Sequence, residues 1–368
     1  MHLISIVGAR PQFIKLAPLV RSFGKFFPAG THQILHTGQH FDAAMSADLF
    51  GELQLPTADF HLGIHSLPHG AMTGRTLEAT ERILLHEQPD LVIVYGDTNA
   101  TLAGALAAKK CGIPIAHVEA GLRSGSAFMP EEINRVLTDR LSDFLFCPSA
   151  SAVAHLQLEG FAHRNVVIEQ CGDVMRDVLR LFADQLHPPI GLKLPHNYVV
   201  ATIHRAANTD DADRLSAIVA GLRRIAVAYP VVWPLHPRTR ARLVKYAIST
   251  TGINTCSPQP YLATQYLLRH CHAVVTDSGG LQKEAFFHQK PALIVRERSE
   301  WVELVNSGAS RLVTPDELHA NLIPARLSLR SGEYSPHYGD GYAADNIWRT
   351  IKEKSDYVQT FRSHRGEL

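Results

Sequence analysis

Short apolar runs alternate with longer helical stretches along most of the chain, and that alternation limits the folds open to it. In the first half LISIVG, HQILHT, DLVIVYG, IPIAHVEA, FLFCPS and NVVIEQCG read as strands, with PQFIKLAPLVRSFG and NATLAGALAAKKCG as helices between them. Strands that are apolar at nearly every position are covered on both faces. Strand–helix–strand repeats of this kind close by right-handed crossovers onto a parallel sheet.

The series pauses after about residue 172, where DVLRLFADQLHPPIGLKLPHN, with its clustered prolines, reads as a linker. It resumes with YVVATIH, VVWPLH, HAVVTDS, PALIVR and SRLVT, again interleaved with helices such as DADRLSAIVAGLRRIAVAYP. A chain of 368 residues exceeds the usual size of one core. The expectation is an α/β protein with two doubly wound domains, residues 1–171 and 172–340, and a helix over 341–368 packing back toward the first. Ligands of open parallel sheets lie outside the carboxyl ends of the strands, so the cleft between the two domains is the expected site.

Composition removes several classes of function. The formal charge of +1 gives no track for a polyanion, so no nucleic-acid partner is expected. No apolar stretch is long enough for a bilayer, and MHLISIVGARPQF lacks a basic region, a long apolar core and a cleavage site, so a soluble cytoplasmic protein is expected. The five cysteines form no Cys-x-x-Cys pair, and neither that nor a helical His-x-x-x-His spacing marks a metal site; no metal and no cofactor are expected. The one Gly-x-Gly-x-x-Ala match, GDGYAA at 339–344, does not follow a buried strand, and there is no Walker A motif.

Two strand-to-helix turns carry phosphate signals. IVGARPQFIK turns at Gly8 and enters a helix with Pro11 at its start, offering backbone N–H groups and the Arg10 fork to an anion. The competing account is a plain turn with a surface arginine. VVTDSGGLQKEA repeats the design with Ser278, Gly279 and Gly280, and Glu284 follows where a carboxylate can accept from ribose hydroxyls, which favours a nucleoside diphosphate. Between these turns HVEAGLRSGSAFMPEEINR gathers Glu119, Glu131 and Glu132 with Arg123 and Arg135. That cluster is either a solvated loop with ordinary ion pairs or a proton-transfer site.

Taken in order, GARPQFIK, HTGQHFD, GDTNATLAGALAAKKCGIPIAHVEAGLRS, MPEEINR, ATIHRAAN, PLHPRTR and TDSGGLQKEAF resemble the non-hydrolysing UDP-N-acetylglucosamine 2-epimerases. The resemblance implies the GT-B architecture of two Rossmann-like domains. It also implies a UDP-sugar substrate, a homodimer, and a role in bacterial surface polysaccharide precursors. Asp97, Glu119 and Glu131 would be the catalytic carboxylates with His204 their partner across the cleft. Arg10, His236, Ser278, Gly279, Gly280 and Glu284 would hold UDP, Lys15 would line the same pocket, and Glu132 would be structural. GARPQF, CGDVM and EWVELV look more like the subgroup acting on UDP-2,3-diacetamido-2,3-dideoxyglucuronate, the alternative to UDP-N-acetylglucosamine.

The chemistry explains why acids would gather. Carbon 2 of an N-acetylhexosamine has no adjacent carbonyl, but departure of UDP from carbon 1 acidifies its hydrogen and leaves a neutral glycal. Base, acid and leaving-group stabilisation are then required, with Arg123 balancing or positioning charge, and domain closure keeping water out. Asp97 followed by Thr98 is also a good helix cap, and a histidine ending a strand can be a simple hydrogen-bonded cap. Rival functions are a GT-B glycosyltransferase, a hydrolysing epimerase and a UDP-sugar-binding regulator without turnover.

Three departures from the family pattern stand out. Asp42 replaces the second glutamine of an activator stretch that begins at Gln39, and Gly74 stands where an arginine is usual, so allosteric activation is expected to be weak or absent. Ala207 replaces a glutamate near His204, which removes expected support for that ring. The loop from Arg296 to Glu300 departs from the usual acid-rich form, with consequences for sugar recognition.

Overall fold

A computed structural model describes residues 1–39, 43–126, 128–321 and 337–364. The chain forms two compact units, Met1–Leu181 with Pro336–Leu368, and Phe182–Ser335. Each is a parallel α/β sheet of the Rossmann-like kind that makes up the GT-B class.

The first sheet contains β1 (His2–Val7), β2 (Thr31–His36), β3 (Phe60–His61), β4 (Leu91–Tyr95), β5 (Ile115–Val118), β6 (Phe144–Cys147) and β7 (Val167–Gln170). Their order is β3-β2-β1-β4-β5-β6-β7, all parallel, with Ser5 opposite both Ile34 and Ile93. The second holds β8 (Val199–Thr202), β9 (Val231–Pro234), β10 (Asn254–Cys256), β11 (Ala273–Thr276), β12 (Ala292–Ile294) and β13 (Ser310–Leu312), in the order β10-β9-β8-β11-β12-β13. The short β3 and β10 have no long apolar run and are invisible in the sequence pattern.

Burial on both faces accounts for the continuous apolar strands. Every residue of β4 is buried, and Val92 and Val94 pack with Ile4, Ile6, Leu35 and Ile115 under the covering helices. In the second unit Val199 and Ala201 face one core with Trp233 and Val275, while Val200 faces another with Val232 and Val274. Strand order reverses between β1 and β4 and again between β8 and β11. At such reversals the loops leaving neighbouring strands diverge and open a crevice at the carboxyl edge.

Two expected features take a different form. The segment read as a linker starts as a helix, Val174–Leu181, whose Val174, Met175 and Val178 are buried and which packs on the helix Arg10–Phe26 of the first unit. Its apolar spacing is helical, and the prolines that suggested a linker come only afterwards. The carboxy-terminal stretch is two helices, Ala343–Glu353 and Ser355–His364. Trp348 on the first of them is fully buried and donates its indole N–H to the Leu19 carbonyl at 3.0 Å. Asp177 accepts from the Ala343 and Ala344 amides at 2.9 and 2.8 Å, capping the same helix. Among the described residues no helix is long and apolar enough to cross a membrane.

Candidate active site

In the first unit the turns after β1, β4 and β5 bring charged side chains together. Lys15, on the first turns of the helix that follows β1, donates to Glu119 Oε1 at 2.6 Å; both side chains are almost buried. A desolvated pair at this distance is a strong charge-assisted contact, and each group needs the other. Glu119 has a φ of 74°, a left-handed conformation that is costly for a residue with a Cβ and is concentrated at functional sites. Gly96, in the neighbouring turn, also has positive φ, and a Cβ there would lie 2.9 Å from the Lys15 amine. A Cβ there would crowd the amine, and the positive φ itself favours glycine.

Asp97 follows Gly96 and pairs with Arg135 Nη2, while Arg135 Nη1 binds Glu132 at 2.8 Å. The expected capping role passes to Thr98, whose hydroxyl accepts from the Thr101 amide, leaving the Asp97 carboxylate about a quarter exposed. Glu132 accepts from the Ser124 amide, the Ser124 hydroxyl and the Gly125 amide, so it organises the loop before the helix Pro130–Leu141. Glu131, next to it, stands exposed on the first turn and makes no side-chain hydrogen bond among the described residues. The structure therefore brings Glu119 to Lys15 and Asp97 to Arg135, and leaves Glu131 exposed at its helix start.

Arg123 does not balance Glu119 or Glu131. It binds Asp139 at 2.8 Å and clasps Glu159 through Nε and Nη2 at 2.6 and 2.9 Å. Proximity in sequence suggested the first partnership. The helix from Pro130 and the turn at Glu159 supply closer carboxylates, and a buried guanidinium takes the nearest forked acceptor.

The turn at Gly8 also departs from expectation. Its amide and that of Ala9 donate to the Gln12 side chain at 2.8 and 3.0 Å, Pro11 has no N–H, and the Gln12 amide reaches the Ala9 carbonyl. Gln12 in turn donates to the Tyr95 carbonyl and Thr101 hydroxyl, both at 2.9 Å. Most backbone donors offered to phosphate in the sequence reading are consumed inside the protein. Arg10 itself is half-buried at the head of this helix.

In the second unit the corresponding turn is open. Ser278 caps the helix Gly279–Phe287 through a long bond from the Leu281 amide, and the Gly279 and Gly280 amides have no acceptor among the described residues. A Cβ on Gly279 would collide with the Glu300 carboxylate, which rests against this helix start. Glu300 is paired at 2.8 Å with Arg296, a largely buried guanidinium whose pKa burial pulls down. Trp301 is buried with the Lys283 amine 4.0 Å above its ring. Glu284 is buried one turn further along the helix.

His204 ends the extended segment after β8. Its amide and Nδ1 both approach the fully buried Asp277, at 3.0 to 3.2 Å, and Asp277 also binds the Arg205 amide and Asn208. Burial lowers the His204 pKa, and Arg205 and Arg238 lower it further against the pull of Asp277. Asp277 supplies the support that Ala207 cannot: Ala207 is exposed on a short helical turn. The His236 ring lies 5.4 Å from that of His204, and its Nδ1 accepts from the Arg238 amide, which places the ring hydrogen on Nε2.

Gln39 accepts from the Ala100 amide at 3.1 Å, a structural contact, while Asp42 lies outside the described residues. A side chain at Gly74 would meet nothing within 4 Å. Sequence reasoning missed Gln12, Asp277 as the anchor of His204, and the Arg135 partnership of Asp97. Only Asp277 carried a local signal, as a polar residue directly after an apolar strand.

Two such sheets, with paired carboxylates at one carboxyl edge and an open helix start at the other, define an enzyme of the nucleotide-sugar kind. The family model for UDP-N-acetylglucosamine 2-epimerase matches residues 28–352. The chain is 49% identical over 349 residues to the UDP-2,3-diacetamido-2,3-dideoxy-D-glucuronate 2-epimerase of Pseudomonas aeruginosa, covering 94% of this chain and 98% of that one. It is 42% identical to a UDP-N-acetylglucosamine 2-epimerase homolog of Methanococcus maripaludis, over 96% of this chain and 99% of that one. The crystal structure of Methanocaldococcus jannaschii UDP-GlcNAc 2-epimerase in complex with UDP-GlcNAc and UDP superposes with a TM-score of 0.84 at 35% identity, covering 96% of this chain and all of that one. The chain belongs to the UDP-N-acetylglucosamine 2-epimerase family and is an isomerase, a UDP-sugar 2-epimerase.

Proposed function

We propose that this epimerase inverts carbon 2 of UDP-2,3-diacetamido-2,3-dideoxyglucuronate. The observation that carries the reading is the 49% identity, spanning nearly the whole of both chains, to an enzyme of that name. It takes precedence over UDP-N-acetylglucosamine, which the sequence placed first. The segments GARPQF, CGDVM and EWVELV favour the same choice, and the last of these sets Glu300 against Gly279 and Trp301 beneath Lys283.

In this reading a carboxylate of the first unit removes the carbon 2 proton while the C1–O bond breaks and its electron pair leaves with the UDP phosphate. The C1–C2 double bond that forms gives a glycal with no charge at carbon 1 or carbon 2, the uronate carboxylate being untouched. Protonation of carbon 2 from the opposite face and return of the phosphate oxygen to carbon 1 complete the inversion. Asp97, Glu119 and Glu131 are the proposed proton carriers. The buried Lys15 contact makes Glu119 the best-held of the three. The Arg135 contact and partial exposure of Asp97 suit a group that exchanges protons.

The second unit would hold the nucleotide. The unclaimed amides of Gly279 and Gly280, capped by Ser278, suit a diphosphate, Glu284 suits the ribose hydroxyls, and His236, with its ring hydrogen on Nε2, suits the leaving oxygens beside His204, the proposed catalytic partner. Arg10 and Lys15 are the proposed cationic groups from the first unit. A cytosolic homodimer is part of the proposal, checked by light scattering of the purified protein.

The test is incubation with each candidate nucleotide in heavy water, followed at carbon 2 by NMR. Deuterium entering the diacetamido-uronate with UDP attached supports the proposal. Exchange confined to UDP-N-acetylglucosamine gives the second reading, which the Methanocaldococcus relative favours. Release of a free sugar, or binding without exchange, overturns both.

A further inference from the structure

His117 lies on β5, is fully buried, and is absent from the roles assigned above. Its Nδ1 stands 2.7 Å from Asp139 Oδ1 and its Nε2 stands 2.8 Å from the Gly96 carbonyl oxygen. A carbonyl can only accept, so Nε2 carries a hydrogen. The carboxylate on the other side is also an acceptor unless it is protonated. The other oxygen of Asp139, Oδ2, accepts from Arg123 at 2.8 Å and from the Gly121 amide at 3.2 Å, so the group serves as an acceptor on both sides. Both ring nitrogens must then donate.

Charge balance agrees. Around the ring lie Asp139, Arg123 and Glu159, which without a charged histidine sum to one net negative charge in a largely buried cluster. Arg140, half exposed and 3.7 Å from Glu159, is screened by water. The nearby Cys147 thiol is pushed far up by burial and by Asp139, and carries no charge.

We propose that His117 is held as a doubly protonated imidazolium and is the positioning residue that fixes the turn bearing Asp97 against the turn bearing Glu119. Its Nε2–H holds the Gly96 carbonyl, which the left-handed backbone of Gly96 turns inward immediately before Asp97. Its other N–H holds Asp139, which clamps the Gly121 amide and Arg123 just beyond Glu119. Glu119 itself is left-handed without being glycine, and surrounding contacts must maintain that conformation. One charged pair thus sets the separation of two turns, with its charge internal rather than aimed at the ligand. The positioning role rests on the reading of Asp97 and Glu119 as proton carriers; the protonation state does not.

Ring nitrogen-15 NMR of the whole protein, with His117→Gln used to assign the signal, tests the first part without any substrate. Two protonated nitrogens at neutral pH are expected, and one bare nitrogen there overturns the proposal. Asp139→Asn removes the counter-charge and tests the second part. The expected result is a kcat about 100-fold lower, with KM and UDP affinity within about threefold of the parent, since small misplacements of reacting groups cost turnover before binding. A kcat within about twofold of the parent overturns the positioning role. If Asp139→Asn does not fold, His117→Gln carries the kinetic arm with the same expectation. A parent protein that exchanges no carbon 2 hydrogen in either nucleotide sinks the functional reading and the positioning role, while the ring spectrum still decides the imidazolium.

Discussion

The turns at Gly8 and at Ser278 share a plan, a buried parallel strand feeding a helix start, yet they present opposite surfaces. At Gly8 the protein fills its own donors with the Gln12 side chain. At Ser278 the Gly279 and Gly280 amides stay open, with only the Glu300 carboxylate packed alongside. The same division runs through the charges of the two units. Lys15–Glu119, Arg135–Asp97 and Arg123–Asp139 are matched internally, whereas the second unit leaves the Gly279 and Gly280 N–H groups open and the His204 side chain partly exposed. Matched pairs hold protons at defined places, and open donors capture anions. A strand–turn–helix outline does not distinguish the two; the side chain three or four residues into the helix does.

If this division is right, loss of a carboxylate in the first unit should cost turnover, and damage to the open turn of the second should cost binding. The largest effect is expected for Glu119→Gln, which removes a proposed proton carrier and strands the buried Lys15 amine. The expected loss of kcat is about 100-fold to 10,000-fold, with UDP affinity by calorimetry nearly unchanged. A parallel loss of UDP binding would break the contrast. Next comes Gly279→Ala, whose Cβ meets the Glu300 carboxylate at the helix start. Weakening of UDP binding by roughly 10- to 100-fold is expected from losing charge-assisted bonds to the diphosphate, and Gly279→Ala combined with Glu300→Ala should recover part of it.

Gln12→Ala sharpens the comparison. It uncaps two buried amides and should lower stability by about 1–3 kcal/mol in denaturant titration. UDP affinity should not rise unless the emptied turn becomes a second phosphate site.

The smallest effect belongs to another self-filled helix start, where Asp177 caps Ala343 and Ala344. Burial pushes its pKa up to about 6 from an ordinary 3.8, against the opposing pull of those two amides. Between these values the folded chain binds a proton that the unfolded chain has released, so this group's contribution to stability falls as pH rises through the window. Asp177→Asn should flatten that slope in thermal unfolding measured from pH 4 to 7, and an unchanged slope would exclude Asp177 as its source.

Much of the site could be read from the residues because its chemistry is local. Ser278, Gly279 and Gly280 announce an open helix start by composition, and His204 and Asp97 announce strand ends by following apolar runs. Partnerships were not legible. Arg123 lies four residues from Glu119 in sequence but binds Asp139 and Glu159, brought in by the helix Pro130–Leu141 and by the turn at Glu159. The helix Val174–Leu181 was hidden by the prolines after it, because a linker and the end of a domain helix share a border.

The amino-acid sequence by itself determined the two parallel sheets, their strand-end polar residues and the family, because apolar periodicity and turn chemistry act over a few residues. Tertiary structure alone decided which charges meet, which helix start is filled and that His117 faces two acceptors. Those outcomes depend on distances of a few ångströms between segments far apart in the chain, and an electrostatic contact or hydrogen bond is won by whichever group packing brings nearest.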